Sequence, residues 1–211
     1  MKFADIIGHD SLKQRLISTV REGRIAHAQL LAGQQGVGKL QLAIAYAQYV
    51  NCEHPSDTDS CGQCPSCLQY QKLQHPDLHF VFPIVKTGNS TPVCDDYIGA
   101  FRDMLIQQGY FSEEEWVSQT WKEKKVPAIY AEESSEILRK LSLKSSQGGY
   151  KVSVVWLPER MNIECANKLL KLIEEPPQQT VFIMVCEEPD KLLETIRSRV
   201  QRIDVRRVDD D

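Results

Sequence analysis

The sequence predicts an α/β fold: a mainly parallel sheet in three layers, with helices on both faces. Three observations predict it. Short apolar runs alternate along the chain with longer segments of helical spacing. The runs are continuous rather than alternating, as in strands buried on both faces. A glycine-rich stretch joins the first run to the first strong helical segment. Composition agrees, since 42% of the 211 residues are apolar, enough for a sizeable core. The formal charge of −4 argues against a basic nucleic-acid binder. No apolar run nears the ~20 residues of a membrane helix. Met1-Lys2-Phe3-Ala4-Asp5 lacks the apolar core of a signal peptide. A soluble cytoplasmic protein with no membrane partner is expected.

The elements follow in order. Residues 27–31 form a short apolar run that ends at Gly33. Residues 39–50 place Leu42, Ala43, Ala45, Tyr46, Tyr49 and Val50 at helical spacing. Residues 78–85 read as a buried strand. Residues 96–107 and 112–124 read as amphipathic helices, the second anchored by Trp116 and Trp121, whose rings bury much apolar area. Residues 131–143 form a helix with Ile137, Leu138 and Leu141 on one face. Residues 152–157 are a continuous apolar strand. A helix over 162–174 is stopped by Pro176-Pro177, because proline cannot continue one. Residues 181–185 form a strand, 191–196 a short helix and 201–205 a last strand. No internal repeat is apparent.

Gly33-Gln34-Gln35-Gly36-Val37-Gly38-Lys39-Leu40 sits between a strand and a helix, the context a P-loop requires. Its glycines let backbone N–H groups converge on phosphate oxygens at a helix N-terminus. Lys39 adds a point charge for the β- and γ-phosphates. Gly33, Gly36, Gly38 and Lys39 are therefore the candidate nucleotide-binding residues. The eighth position departs from the pattern, because Leu40 replaces the Ser or Thr whose hydroxyl ligands Mg²⁺. The strand that should end in a metal-holding acidic pair, Val152-Ser153-Val154-Val155-Trp156-Leu157, runs into Pro158-Glu159 instead. Two independent losses argue against ATP hydrolysis by this chain. ATP binding without turnover and a loop whose glycines only make a tight turn both remain open.

Cys52, Cys61, Cys64 and Cys67 have the ligand count and spacing of a tetrahedral zinc site. Four thiolates leave no position for water, so zinc there is structural. His54 and His75 lie nearby but are surplus. Cys94, Cys165 and Cys186 are isolated, and Cys186, closing an apolar run, reads as a small core residue. A zinc-dependent DNA-binding module is an alternative that the sparse basic residues disfavour.

In combination, these motifs resemble the clamp-loader AAA+ proteins of bacterial DNA polymerase III. The resemblance rests on the loop, the cysteine cluster straight after its helix, and Asn167-Lys168-Leu169-Leu170-Lys171-Leu172-Ile173-Glu174-Glu175-Pro176-Pro177. Phe3-Ala4-Asp5-Ile6-Ile7-Gly8-His9 is similar to the family's adenine-side segment. Ile196-Arg197-Ser198-Arg199-Val200 is similar to its Ser-Arg-Cys motif, with Val200 in the cysteine place. The resemblance implies a P-loop NTPase fold over 1–208, a zinc module at 51–71 and an insertion at 86–127. It also implies a helical lid and collar domain beyond this chain, with 202–211 an exposed cut end. Leu40 and the missing acidic pair separate the chain from the ATP-hydrolysing tau/gamma class, and the cysteine cluster and Ser198-Arg199 separate it from the delta class. What remains is a non-hydrolysing stator with no ATPase of its own, working within a DNA polymerase III complex. Arg199 would then be an arginine finger acting in trans on ATP bound by a neighbour. The implied partners are tau/gamma, delta, the sliding clamp and primed DNA. The alternative is an ATP-hydrolysing tau/gamma-type motor.

Overall fold

The computed structural model describes residues 1–88, 92–122 and 125–208. The last residues of the helix expected at 112–124, three residues of the 86–127 segment and the acidic end at 209–211 therefore lie outside the described residues. The elements run α1 (Asp10–Arg21), β1 (Ala28–Ala32), α2 (Lys39–Val50), α3 (Pro65–Gln71), β2 (Leu78–Val81), α4 (Ile98–Gln107), α5 (Glu113–Thr120), α6 (Ala131–Ser142), β3 (Lys151–Trp156), α7 (Ile163–Glu174), β4 (Thr180–Cys186), α8 (Glu194–Arg197) and β5 (Gln201–Asp204). The strands form one sheet in the order β2–β3–β4–β1–β5, every pairing parallel. Register is continuous across the middle, where Leu30 faces Met184 on one side and Arg202 on the other.

Every residue of β1, β3 and β4 is buried, which explains their unbroken apolar sequence. Helices cover both faces. The Gln29 side-chain amide donates to the Tyr46 hydroxyl of α2 at 3.2 Å, whereas the next residue, Leu30, lines a hollow with Glu194, Arg197 and Ser198 around α8. Successive strand side chains point to opposite faces, so α2 and α8 lie on opposite sides. Right-handed crossovers require the same division, because the chain steps one way from β1 to β2 and the other way through β3, β4 and β5.

Local signals fix the helices. The Asn162 side chain accepts from the Cys165 amide at 2.7 Å and caps α7. Its buried face, Cys165, Ala166, Leu169, Leu172 and Ile173, packs against α6, which buries Ile137 and Leu141. In α5, Ser112 and Glu115 form a capping box. Trp116 of α5 is fully buried among Phe82, Phe101 and Trp121, and its indole N–H donates to the Pro83 carbonyl at 2.8 Å. The anchoring role expected of the two tryptophans is thus what the packing displays.

The structure also departs from expectation. The run at 78–85 is a strand only to Val81. Pro83 has no N–H to continue the ladder, and Ile84 makes an isolated antiparallel bridge to Ala128 instead. The helix expected at 191–196 is divided into a 3-10 turn, Pro189–Lys191, and α8. The extended backbone at Leu192 lets both Leu192 and Ile196 reach the core. Helix α1, with Leu16 and Ile17 buried, and helix α3 inside the cysteine-rich segment were not anticipated.

His79 in edge strand β2 makes the fold pH-sensitive. Burial, reinforced by Lys140, pushes its imidazole down to about 4. An unfolded histidine takes up its proton near pH ~6.5. Stability from keeping it neutral is therefore complete above that pH and falls away as the pH drops towards 4. Between pH 7 and 4.5 the wild type should lose about 2–3 kcal/mol more unfolding free energy than His79→Gln. Parallel pH profiles for the two proteins in urea titrations would contradict this.

Candidate functional site

The sheet's carboxyl ends form the rim of a cleft of about 200 Å³, lined by Gly36, Lys39, Leu40, Trp156 and Glu187 among others. Such rims are where open parallel sheets bind ligands. The loop from β1 to α2 is shaped by its glycines. A Cβ at Gly33 would overlap the Val205 carbonyl oxygen, so this glycine serves packing against the end of β5. Gly36 and Gly38 hold φ of +79° and +82°, in the left-handed region. Gly38 is the N-cap of α2 with no side-chain cap, so the first amides of the helix are left without an intrahelical partner.

Lys39 is only 4% exposed, and its ammonium donates to the Gln34 carbonyl within the loop. Burial lowers its pKa, while Glu187 and Glu159 pull it back up. Leu40 is 7% exposed and offers no oxygen to a cation. At the end of β3, Leu157 takes a left-handed turn into Pro158–Arg160. The Glu159 carboxylate accepts from the amides of Glu187 and Glu188 at 2.7 and 2.9 Å. This lone acid caps the chain leaving β4. Burial raises the pKa of Glu187, with Lys39 opposing. Glu187 was not singled out from sequence, although its place directly after a buried strand was a signal.

The four cysteines come together. Their sulfurs lie within 4.8 Å of one another, close to the ~3.8 Å edge of a tetrahedron with ~2.3 Å metal–sulfur bonds. Backbone amides point at them. The Cys61 amide donates to Cys52 Sγ at 3.2 Å, Cys64 to Cys61 Sγ at 3.3 Å, and Cys67 to Cys64 Sγ at 3.4 Å. Amides of Gln63 and Cys64 hold the Cys61 thiol down to about 6. Burial pushes Cys52 and Cys67 up instead. Four sulfur donors at this separation, with backbone amides turned towards three of them, fit a metal ion such as zinc. The module is docked to the body, because Asp59 accepts from the amides of Phe3 and Ala4 at 3.1 and 2.9 Å, and Asn51 exchanges hydrogen bonds with Tyr150.

Arg199 follows α8 and stands outside the cleft. Its Nε pairs with Glu174 at 2.7 Å, with both side chains 41% exposed, and its guanidinium donates to the Thr195 carbonyl at 3.0 Å. It faces the surface rather than the chain's own glycine loop.

Residues 8–209 match the family described as DNA polymerase III, delta subunit. The chain is 30% identical over 188 residues to DNA polymerase III subunit delta′ of Escherichia coli (strain K12), covering 88% of this chain and 44% of that protein. It is 26% identical over 207 residues to DNA polymerase III subunit tau of Bacillus subtilis (strain 168), covering 98% of this chain and 29% of that protein. The chain thus spans less than half the length of these curated relatives. A DNA polymerase III gamma-subunit-related protein of Thermotoga maritima superposes with a TM-score of 0.49 at 16% identity, over 90% of this chain and 45% of that one.

Purified protein should carry one metal ion per chain in elemental analysis. Chelation should lower its melting temperature by ~10 °C or more, because structural metal binding is folding free energy and each kcal/mol is worth about 2–4 °C at this size. Cys67→Ser should reproduce the loss without chelator. Metal-free protein with an unchanged melting temperature would refute the site.

Proposed function

Because the chain belongs to the DNA polymerase III delta-subunit family, a clamp-loader family of DNA replication, we propose that it acts as a delta′-type subunit. In this reading it is a non-hydrolysing AAA+ stator. It holds one position in the loader, keeps structural zinc at Cys52, Cys61, Cys64 and Cys67, and lends Arg199 to ATP bound by a neighbouring subunit. Its partners are tau/gamma and delta, and through the complex the sliding clamp and primed DNA.

One observation carries the reading. Leu40 is buried where a metal-binding hydroxyl would stand, and in place of an acidic pair the strand end carries the single acid Glu159, whose Oε1 accepts from the amides of Glu187 and Glu188 while its Oε2 has no partner among the described residues. Without the loop hydroxyl, Mg²⁺ lacks the protein ligand that normally ties it to the β- and γ-phosphates. Arg199 supports the second half. A guanidinium fixed by Glu174 and Thr195 at the surface is suited to stabilise charge on a phosphoryl group supplied from outside. The all-sulfur donor set supports zinc, and its lack of an open position supports a structural role.

The tau relative favours a second reading, an ATP-hydrolysing motor. Leu40 argues against it. The isolated chain should give no steady turnover with magnesium-ATP, whereas turnover abolished by Lys39→Ala would establish the motor. In a complex reconstituted with tau/gamma and delta, Arg199→Ala should silence the one site it serves, by ~10³-fold or more at that site. The variant should fold normally. Unchanged ATPase activity in the mutant complex would remove Arg199 from the mechanism.

A further inference from the structure

The cleft at the glycine loop is walled by a part of the chain remote in sequence, the junction of α4 and α5. Gly109, Tyr110, Phe111, Ser112 and Glu115 all line it, facing Gly36, Lys39 and Leu40. The Tyr110 hydroxyl lies 3.5 Å from the point a Cβ on Gly38 would occupy, and Ile6 comes within 3.9 Å of the same point. Ring and hydroxyl therefore stand against the N-cap of α2, where the helix amides have no side-chain cap. The Gln41 side-chain amide, in the first turn of α2, donates to the Gly109 carbonyl. From these contacts we infer that residues 109–112 occupy the nucleotide cradle of this chain, with Tyr110 as the group that excludes a nucleoside phosphate.

The placement is held from behind. Phe111 packs edge-on against Trp156 at the end of β3, with ring centroids 5.2 Å apart, and against Phe101 at 5.8 Å. Arg160 holds Glu113 with two parallel hydrogen bonds, the first at 2.7 Å. Trp116 is fully buried on the next turn. Bidentate carboxylate–guanidinium pairing and aromatic packing fix geometry more firmly than a surface loop could. Lys39 also lines the cleft, with its ammonium donating to the Gln34 carbonyl. The free space, about 200 Å³, is below the ~300–1,000 Å³ usual for pockets that enclose small molecules. Even where phosphates could reach the α2 amides, the attached ribose and base would have to share the cleft with Tyr110 and Phe111, which line it. The inference is independent of any role for Arg199.

Isothermal titration of the full chain with magnesium-ATP and with magnesium-free ADP tests it. ADP without metal removes the handicap of Leu40. Tyr110 is half-exposed, so Tyr110→Ala should keep its fold, which circular dichroism and an unchanged zinc content verify. The variant should bind ADP at least about tenfold more tightly than the wild type, and its amides at 34–41 should exchange hydrogen faster before ligand is added. Equal affinity in the two proteins overturns the inference, including when exchange quickens. Weaker binding by the variant overturns it as well, since Tyr110 would then hold the nucleotide instead of excluding it.

Discussion

A strand buried on both faces must turn straight into a helix buried nearly all round, and the rest of the molecule is arranged about that turn. Every residue of β1 is buried, and α2 is buried from Lys39 to Tyr49. The six residues between them exclude ordinary side chains at three points, one by space and two by backbone conformation. Gly33 lies against the Val205 carbonyl, and Gly36 and Gly38 use left-handed backbone that a Cβ would strain. The turn presents unpaired amides at the head of α2 as a geometric consequence. Whether those amides meet a phosphate is decided by what surrounds them, not by the loop.

What surrounds them is partly apolar and partly engaged. The hydroxyl position carries a buried leucine, the strand-end acid is bound to two amides, and the loop lysine is turned on its own loop. The lysine and one oxygen of the acid have local partners, whereas the second oxygen, Glu159 Oε2, is buried without one among the described residues. A charge or acceptor left without a partner is costly in a buried site, and Glu159 Oε2 is such a group.

The cysteine module follows the opposite logic. Between Cys52 and Cys64 the chain has no regular backbone ladder, and its amides point at sulfur. A short segment of this kind cannot bury enough apolar surface to hold itself, and a metal ion held by the four cysteines would supply what a core would. Asp59 and Asn51 then fasten the module to the N-terminal segment and to the start of β3. Local order in the module and its position on the body therefore have different physical sources.

The sequence alone determined the sheet, because strands buried on both faces must be continuously apolar and each of 27–31, 152–157, 181–185 and 201–205 was legible within a residue or two. It also determined the glycine loop, the leucine within it and the four-cysteine set, since spacing along the chain fixes which groups can meet locally. Helix α1 was missed although Leu12, Leu16 and Val20 carry its spacing, and the break after Val81 was missed although Pro83 signals it. Nothing local could foretell that Tyr110 would stand at Gly38, that Arg160 would clasp Glu113 or that Arg199 would rest on Glu174. Those contacts join residues 25 to 72 positions apart. Only the packing of α4, α5, α7 and α8 against the finished sheet brings them within reach, and a side chain's long-range partner is set by that packing rather than by its neighbours in the chain.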